Sequence, residues 1–294
     1  MTPEPRTVLS AIRWEQWYKN LVIFIGIVFS LNATDLGMLA RTVAAFGVFC
    51  VLSSGIYLTN DIHDAETDRL HPSKRERAVA SGEIHRRQAM FLAIVMILTS
   101  LGAALLLGIA FASVCVIYTL QSLLYTFWLK HVAVVDIVVV SVGFVWRAIA
   151  GTVVIGVRTS PWLIICSFLL ALFLALLKRE SEMTAVGASA EYRSTLGEYS
   201  NSSIEVFLTV TTASLLVAYM LYTFESEHIW MMVTIPFAFI GVFRSLQLVR
   251  EGGNGDTPTL VFRDRIVQID VALWGLASVV ALYDLPDQVV RLLI

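Results

Sequence analysis

Three aspartates, Asp61, Asp64 and Asp68, stand at positions i, i+3 and i+7 in the run Asn60-Asp61-Ile62-His63-Asp64-Ala65-Glu66-Thr67-Asp68-Arg69. At about 100° per residue they fall within roughly 60° of one another around a helix. They form an acidic stripe about 10 Å long at ~1.5 Å rise per residue. Unpaired carboxylates so close repel one another and call for a cation. Mg2+ suits them, as a hard ion held by a few carboxylates with water and phosphate oxygens in the remaining positions. Asn60 lies at the edge of the stripe. Arg69, His71, Lys74, Arg75 and Arg77 follow at once. Carboxylates for a metal beside cations for phosphate are what a diphosphate substrate needs. The blander reading is a helix end with a solvated basic loop. Charge alone fits that reading, but the triple-aspartate register fits it poorly. His63 faces away from the stripe and is expected to take no part.

The element that carries the stripe is apolar before it. Of the 294 residues, 57% are hydrophobic and 15% charged, with a mean hydropathy of +0.75. A soluble domain would be about a quarter charged. This composition excludes a secreted soluble protein, a coiled coil and a soluble nucleic-acid binder, and it points to the lipid bilayer. A membrane helix needs about 20 mostly apolar residues. Nine runs qualify, at roughly 17–32, 38–59, 88–108, 111–129, 133–154, 160–178, 204–224, 228–249 and 266–284. The first is read as a retained helix, since no small-residue cleavage site follows it. With the N-terminus in the cytoplasm, 17 of the 21 Lys and Arg fall on the cytoplasmic side, which obeys the positive-inside rule. The expected fold is an all-α polytopic membrane protein of nine transmembrane helices, N-terminus in and C-terminus out. It forms one domain over 1–294, with cytoplasmic loops at about 60–87, 178–203 and 250–265. A homo-oligomer is compatible with it.

Cys50, Cys115 and Cys166 stand alone in apolar runs and read as packing residues. Lys178 and Arg179 close the sixth span, where a second phosphate could bind. Lys178 and Glu182 are also spaced to pair at i, i+4. Arg147 lies deep in the fifth span. Such a residue faces a cavity or a partner, so a structural ion pair and a site role are equal readings. No Asp or Glu is placed near the middle of a span, which argues against a transporter.

Asn60-Asp61-x-x-Asp64-x-x-x-Asp68 resembles the first aspartate motif of the UbiA-type intramembrane prenyltransferase superfamily. Tyr125, Lys130 and Asp136, followed by Gly143-Phe144-Val145-Trp146-Arg147-Ala148-Ile149-Ala150-Gly151, resemble its second conserved region. The resemblance implies a helix bundle around a cavity open to the cytoplasm and to lipid. Prenyltransferases of that superfamily carry a second aspartate pair after the sixth helix. Here that place reads Leu177-Lys178-Arg179-Glu180-Ser181-Glu182-Met183, with no Asp.

The departure resembles the superfamily's polyprenyl-phosphate phosphoribosyltransferase branch. Arg13-Trp14-Glu15-Gln16-Trp17-Tyr18-Lys19-Asn20 is similar to that branch's Arg-Pro-x-Gln-Trp-x-Lys-Asn opening, with Trp14 in place of Pro. His71-Pro72-x-Lys74-Arg75 follows the aspartates, and Tyr192-Arg193 follows Glu182. The resemblance implies phosphoribosyl diphosphate (PRPP) as donor and a polyprenyl phosphate as acceptor, at the cytoplasmic side of the inner membrane. Asp61, Asp64 and Asp68 would hold Mg2+. Arg69, Lys74 and Arg75 are candidates for the donor phosphates. Lys19, Lys130, Lys178 and Arg179 are candidates for the acceptor phosphate or the ribose 5-phosphate, and Asn60, Tyr125, Asp136, Arg147, Glu182, Tyr192 and Arg193 complete the substrate-binding set. A lipid phosphate is already an ionised nucleophile, which accounts for the lack of a Ser-His-Asp or Cys-His arrangement. The rival is a prenyltransferase with a prenyl diphosphate donor and an aromatic or other apolar acceptor.

Overall fold

A computed structural model describes residues 10–70, 74–186, 199–251, 261 and 263–283. His71, Pro72, Tyr192 and Arg193 lie outside these residues. The described structure is helical, and eight of its helices are long and apolar enough to cross a membrane. The chain divides into two compact units, Met1–Thr159 and Ser160–Ile294.

In the first unit a 3-10 segment, Trp14–Val22, runs into the seven-residue helix α1, Ile23–Phe29. The expected span at 17–32 is thus built in two geometries rather than as one long α-helix. Next come α2 (Leu36–Leu70), α3 (Arg86–Leu107), α4 (Ile109–Phe127) and α5 (Val135–Val154). α2 has 35 residues, about 52 Å at ~1.5 Å rise. A hydrocarbon core is only ~30 Å thick. Its last turns, which carry the aspartates, therefore have length to stand clear of the apolar layer. Gly108, at φ 127°, breaks the chain between α3 and α4 in a conformation that favours glycine.

Phe49, Leu52, Phe111, Tyr118, Ile23, Ile27 and Val154 form the main core of this unit. A second cluster lies near the end of α2. There Ala78, Val79 and Ile84, from the segment after α2, pack on Leu58, Ile62 and Ala65. That burial folds the segment back along the helix it has just left, and it seats Arg77 against the acidic stripe. His85 then caps α3 in a reciprocal pair with Gln88.

α1 crosses α5 at backbone contact. A Cβ on Gly151 would fall 2.0 Å from the Ile23 carbonyl oxygen, and one on Gly26 would fall 2.9 Å from the Gly151 backbone. Small residues permit such approach between membrane helices. Gly151→Ala is expected to cost at least about 2 kcal/mol through overpacking against backbone that cannot yield. Thermal unfolding in detergent reads it, and an unchanged melting temperature would show that the contact opens freely.

The second unit contains α6 (Pro161–Val186), α7 (Asn201–Glu225), the 3-10 segment Ile229–Thr234, α8 (Ile235–Glu251) and α9 (Arg265–Leu282). Asp264 caps α9 by accepting from Val267 N at 3.0 Å and pairs with Arg244 at 2.8 Å. The Arg244 hydrogen bond, then the helix N–H groups, hold the Asp264 carboxyl below the usual carboxylate range. Tyr219 Oη lies 2.6 Å from Thr234 Oγ1 and accepts from Trp274 Nε1 at 2.7 Å. The three cysteines are free, as packing residues should be.

Candidate active site

The acidic stripe forms as its spacing requires, on one uninterrupted helix. Asp61 and Asp68 are buried, and Asp64 is half-buried. Each carboxylate meets a cation from another segment. Arg13 pairs with Asp61 through Nη2. Arg77 Nη1 lies 3.2 Å from Asp61 Oδ1 and 2.6 Å from Asp68 Oδ2. Lys130 Nζ pairs with Asp64 Oδ1. Asn60 Nδ2 donates to Asp64 Oδ2 at 3.1 Å.

Several of these partners went unread in the sequence. His63 is the clearest correction. Its Nδ1 is 3.0 Å from Asp64 Oδ1 and 3.2 Å from Lys130 Nζ, with the ring edge-on to Phe127. Adjacent helix positions diverge by about 100°, but the imidazole is long enough to turn back to its neighbour. In the sequence Arg13 stands out only as part of the opening motif and Arg77 only as part of a basic run. Both prove to be half-buried cations paired with the aspartates. Arg13 holds a left-handed backbone, φ 49°, and its guanidinium lies 5.8 Å over the Tyr57 ring. Burial lowers its pKa and Asp61 raises it; an arginine stays charged throughout. Val134, between Lys130 and α5, also has a positive φ, 68°, a strained state for a β-branched residue. Strain of this kind gathers where the surrounding structure dictates a geometry.

The remaining expected residues divide. Lys19 Nζ lies 6.0 Å over the Tyr57 ring, one turn of α2 from Asp61. Asp136 is buried in the first turn of α5, and Tyr125 is half-buried on α4. Arg69 turns away from the stripe and donates to Ala80 O at 3.0 Å, fastening the folded-back segment. Arg75 is exposed and Lys74 half-exposed. Arg147 is deeper and fully enclosed. It donates to Asn20 Oδ1 at 2.8 Å, Gly143 O at 3.0 Å and Tyr118 Oη at 2.7 Å. These three partners are neutral groups, so of the two readings the structural ion pair gives way to a hydrogen-bonded clamp.

In the second unit, Lys178 is exposed, and Glu182 pairs with Arg179 at 2.9 Å rather than with Lys178. The i, i+3 neighbour wins because it lies on the buried side of α6. α6 also continues beyond the expected end of the sixth span, so Lys178 and Arg179 are within the helix. Asp270, in the second turn of α9, belongs to no motif in the sequence. It is buried, and its Oδ1 has no hydrogen-bond partner among the described residues.

Among the described residues no three His, Cys, Asp or Glu side chains are gathered as a metal cluster. The donor chemistry fits a hard divalent cation nonetheless. Asp61 and Asp68 both touch one atom, Arg77 Nη1, so their oxygens are no more than about 6 Å apart. The positive charge between these two carboxylates comes from Arg77.

Fold and site together define a polytopic membrane protein with a carboxylate and guanidinium centre at a helix end. The chain belongs to the UbiA prenyltransferase family, whose model matches residues 21–263. It is 34% identical to decaprenyl-phosphate phosphoribosyltransferase of Mycobacterium tuberculosis, over 91% of each chain. It is 32% identical to the Corynebacterium glutamicum protein of the same name, over 95% of this chain and 87% of the relative. Among solved structures, a UbiA homolog from Archaeoglobus fulgidus bound to GPP and Mg2+ shares the fold with a TM-score of 0.73, at 16% identity, covering 94% of this chain and 99% of that one.

Proposed function

We propose that the protein transfers the 5-phosphoribosyl group of PRPP to a polyprenyl phosphate and releases diphosphate. It would work in the cytoplasmic membrane with its N-terminus and site on the cytoplasmic side, the segment 14–29 serving as a ninth crossing of one UbiA-like domain. The product would be a lipid-linked pentose donor for cell-envelope or other glycan assembly. The observation that carries this reading is the pair of buried aspartates bridged by Arg77, beside Arg13 and Lys130, in a chain that lacks an aspartate pair at 178–183. The phosphoribosyltransferase relatives support the choice of substrates.

In the reaction, the bond from ribose C1 to the diphosphate oxygen breaks and its electron pair leaves with the diphosphate. A lipid phosphate oxygen forms the new bond to C1. Asp61, Asp64 and Asp68 would hold Mg2+, which neutralises charge on the leaving group. Lys74 and Arg75 would meet the donor phosphates, and Lys130, paired with Asp64 and close to His63, would hold an anion. Lys19, Lys178, Arg179 and Arg193 are proposed as the further phosphate contacts. Positioning and charge neutralisation carry the rate, with no strong base required.

Purified protein with radiolabelled PRPP, Mg2+ and a polyprenyl phosphate should move label into the organic phase, and EDTA should abolish the transfer. Absence of lipid label, with turnover of a prenyl diphosphate and an aromatic acceptor instead, would replace this reading by the prenyltransferase one. The fold neighbour bound to GPP makes that the alternative to test.

A further inference from the structure

Asp61 and Asp68 are already neutralised by the protein itself. Two guanidinium groups from outside α2, Arg13 and Arg77, pair with one oxygen of each carboxylate, Asp61 Oδ1 and Asp68 Oδ2. Each comes from a segment with its own reason to sit there. Arg13 precedes the Trp14–Val22 turns in a left-handed conformation. Arg77 rides on the segment clamped by Ala78, Val79 and Ile84. Burying such pairs is costly in desolvation and seldom adds much stability over an apolar replacement. A guanidinium fork matches phosphate oxygens as well as carboxylate oxygens. The side chains remain about a quarter exposed, 21% for Arg13 and 25% for Arg77, so both have room to turn.

We propose that Arg13 and Arg77 are exchangeable counter-ions that make metal and diphosphate bind together. Without substrate they fill the cation positions of Asp61 and Asp68. When a metal–diphosphate complex arrives, they give up the carboxylates and take diphosphate oxygens. A free divalent cation binds poorly, because it must displace guanidiniums that have no other anion to hold. Diphosphate supplies that anion. This rests on the metal–diphosphate reading of the stripe and goes further in naming two phosphate-binding residues and the coupling they create.

The test is equilibrium dialysis of the full-length protein in detergent, with radioactive Mn2+ and radiolabelled inorganic diphosphate both counted. In the unaltered protein, diphosphate should tighten Mn2+ binding at least about tenfold, within the usual range of coupling between sites. In Arg13→Gln and in Arg77→Gln, Mn2+ alone should bind about tenfold more tightly and the effect of diphosphate should shrink to about threefold or less. Arg13→Lys, which keeps the charge, should stay close to the unaltered protein. Arg77→Gln removes the bridge to Asp68; if it does not fold, Arg13→Gln decides, since Asp61 keeps Arg77. If the unaltered protein shows coupling and the glutamine variants bind Mn2+ no more tightly, the exchange is overturned while the metal–diphosphate site stands. No Mn2+ binding with or without diphosphate overturns both.

Discussion

Asp61→Asn should lower kcat for phosphoribosyl transfer by about a thousandfold or more, with a folded protein. The carboxylate is buried and lies against two guanidiniums. The amide keeps an oxygen acceptor for one of them, so the packing around α2 survives. What it removes is the negative charge that would hold a metal against the leaving diphosphate. Loss of a single preorganised electrostatic contact costs about a hundredfold to a thousandfold in kcat, and loss of a metal ligand removes the ion's whole contribution. Initial rates of label transfer across a range of PRPP concentrations measure this. The fall should be in kcat rather than in KM alone, since the charge matters most as the bond breaks. Asp64→Asn should behave similarly and should also free Lys130. A loss of tenfold or less at Asp61 would show that it serves only as an anchor for Arg13 and Arg77.

Arg147→Met should destabilise the first unit by about 3 kcal/mol, and Arg147→Lys should restore little. The guanidinium ties the Trp14–Val22 segment to α4 and α5 through Asn20, Tyr118 and its own turn at Gly143. Its plane also lies 4.9 and 5.0 Å from the Tyr118 and Phe144 rings. Truncation leaves Asn20 Oδ1 and the Tyr118 hydroxyl short of a partner in an enclosed place, at about 1–3 kcal/mol for each unsatisfied group. Asn20 also donates to Ser53 at 3.2 Å, so the disturbance reaches α2. An ammonium cannot span three acceptors laid out for a fork. Thermal unfolding of the detergent-solubilised protein gives the comparison. A variant with unaltered melting temperature and a raised KM for polyprenyl phosphate would make Arg147 a substrate contact instead of a clamp.

The sequence by itself determined what is local. Apolar runs near 20 residues mark the membrane helices, because the bilayer sets their length. The i, i+3, i+7 register put three carboxylates on one face of α2, because a helix has a fixed pitch. The family resemblance followed from the same short motifs. It did not disclose that the run at 17–32 begins as a 3-10 segment, which the close crossing of Gly26 and Gly151 accommodates. Nor did it disclose how the charges are shared out. Arg13 reaches Asp61 across 48 residues and Lys130 reaches Asp64 across 66. Such pairings depend on which helices pack together, and no periodicity records that. Arg77 bridges Asp61 and Asp68 only because Ala78, Val79 and Ile84 bury themselves on α2 and fold the chain back. His63 joins Lys130 because the Leu129–His131 turn delivers the lysine to that side of the stripe. Spacing therefore named the acids, and tertiary packing chose the bases that face them.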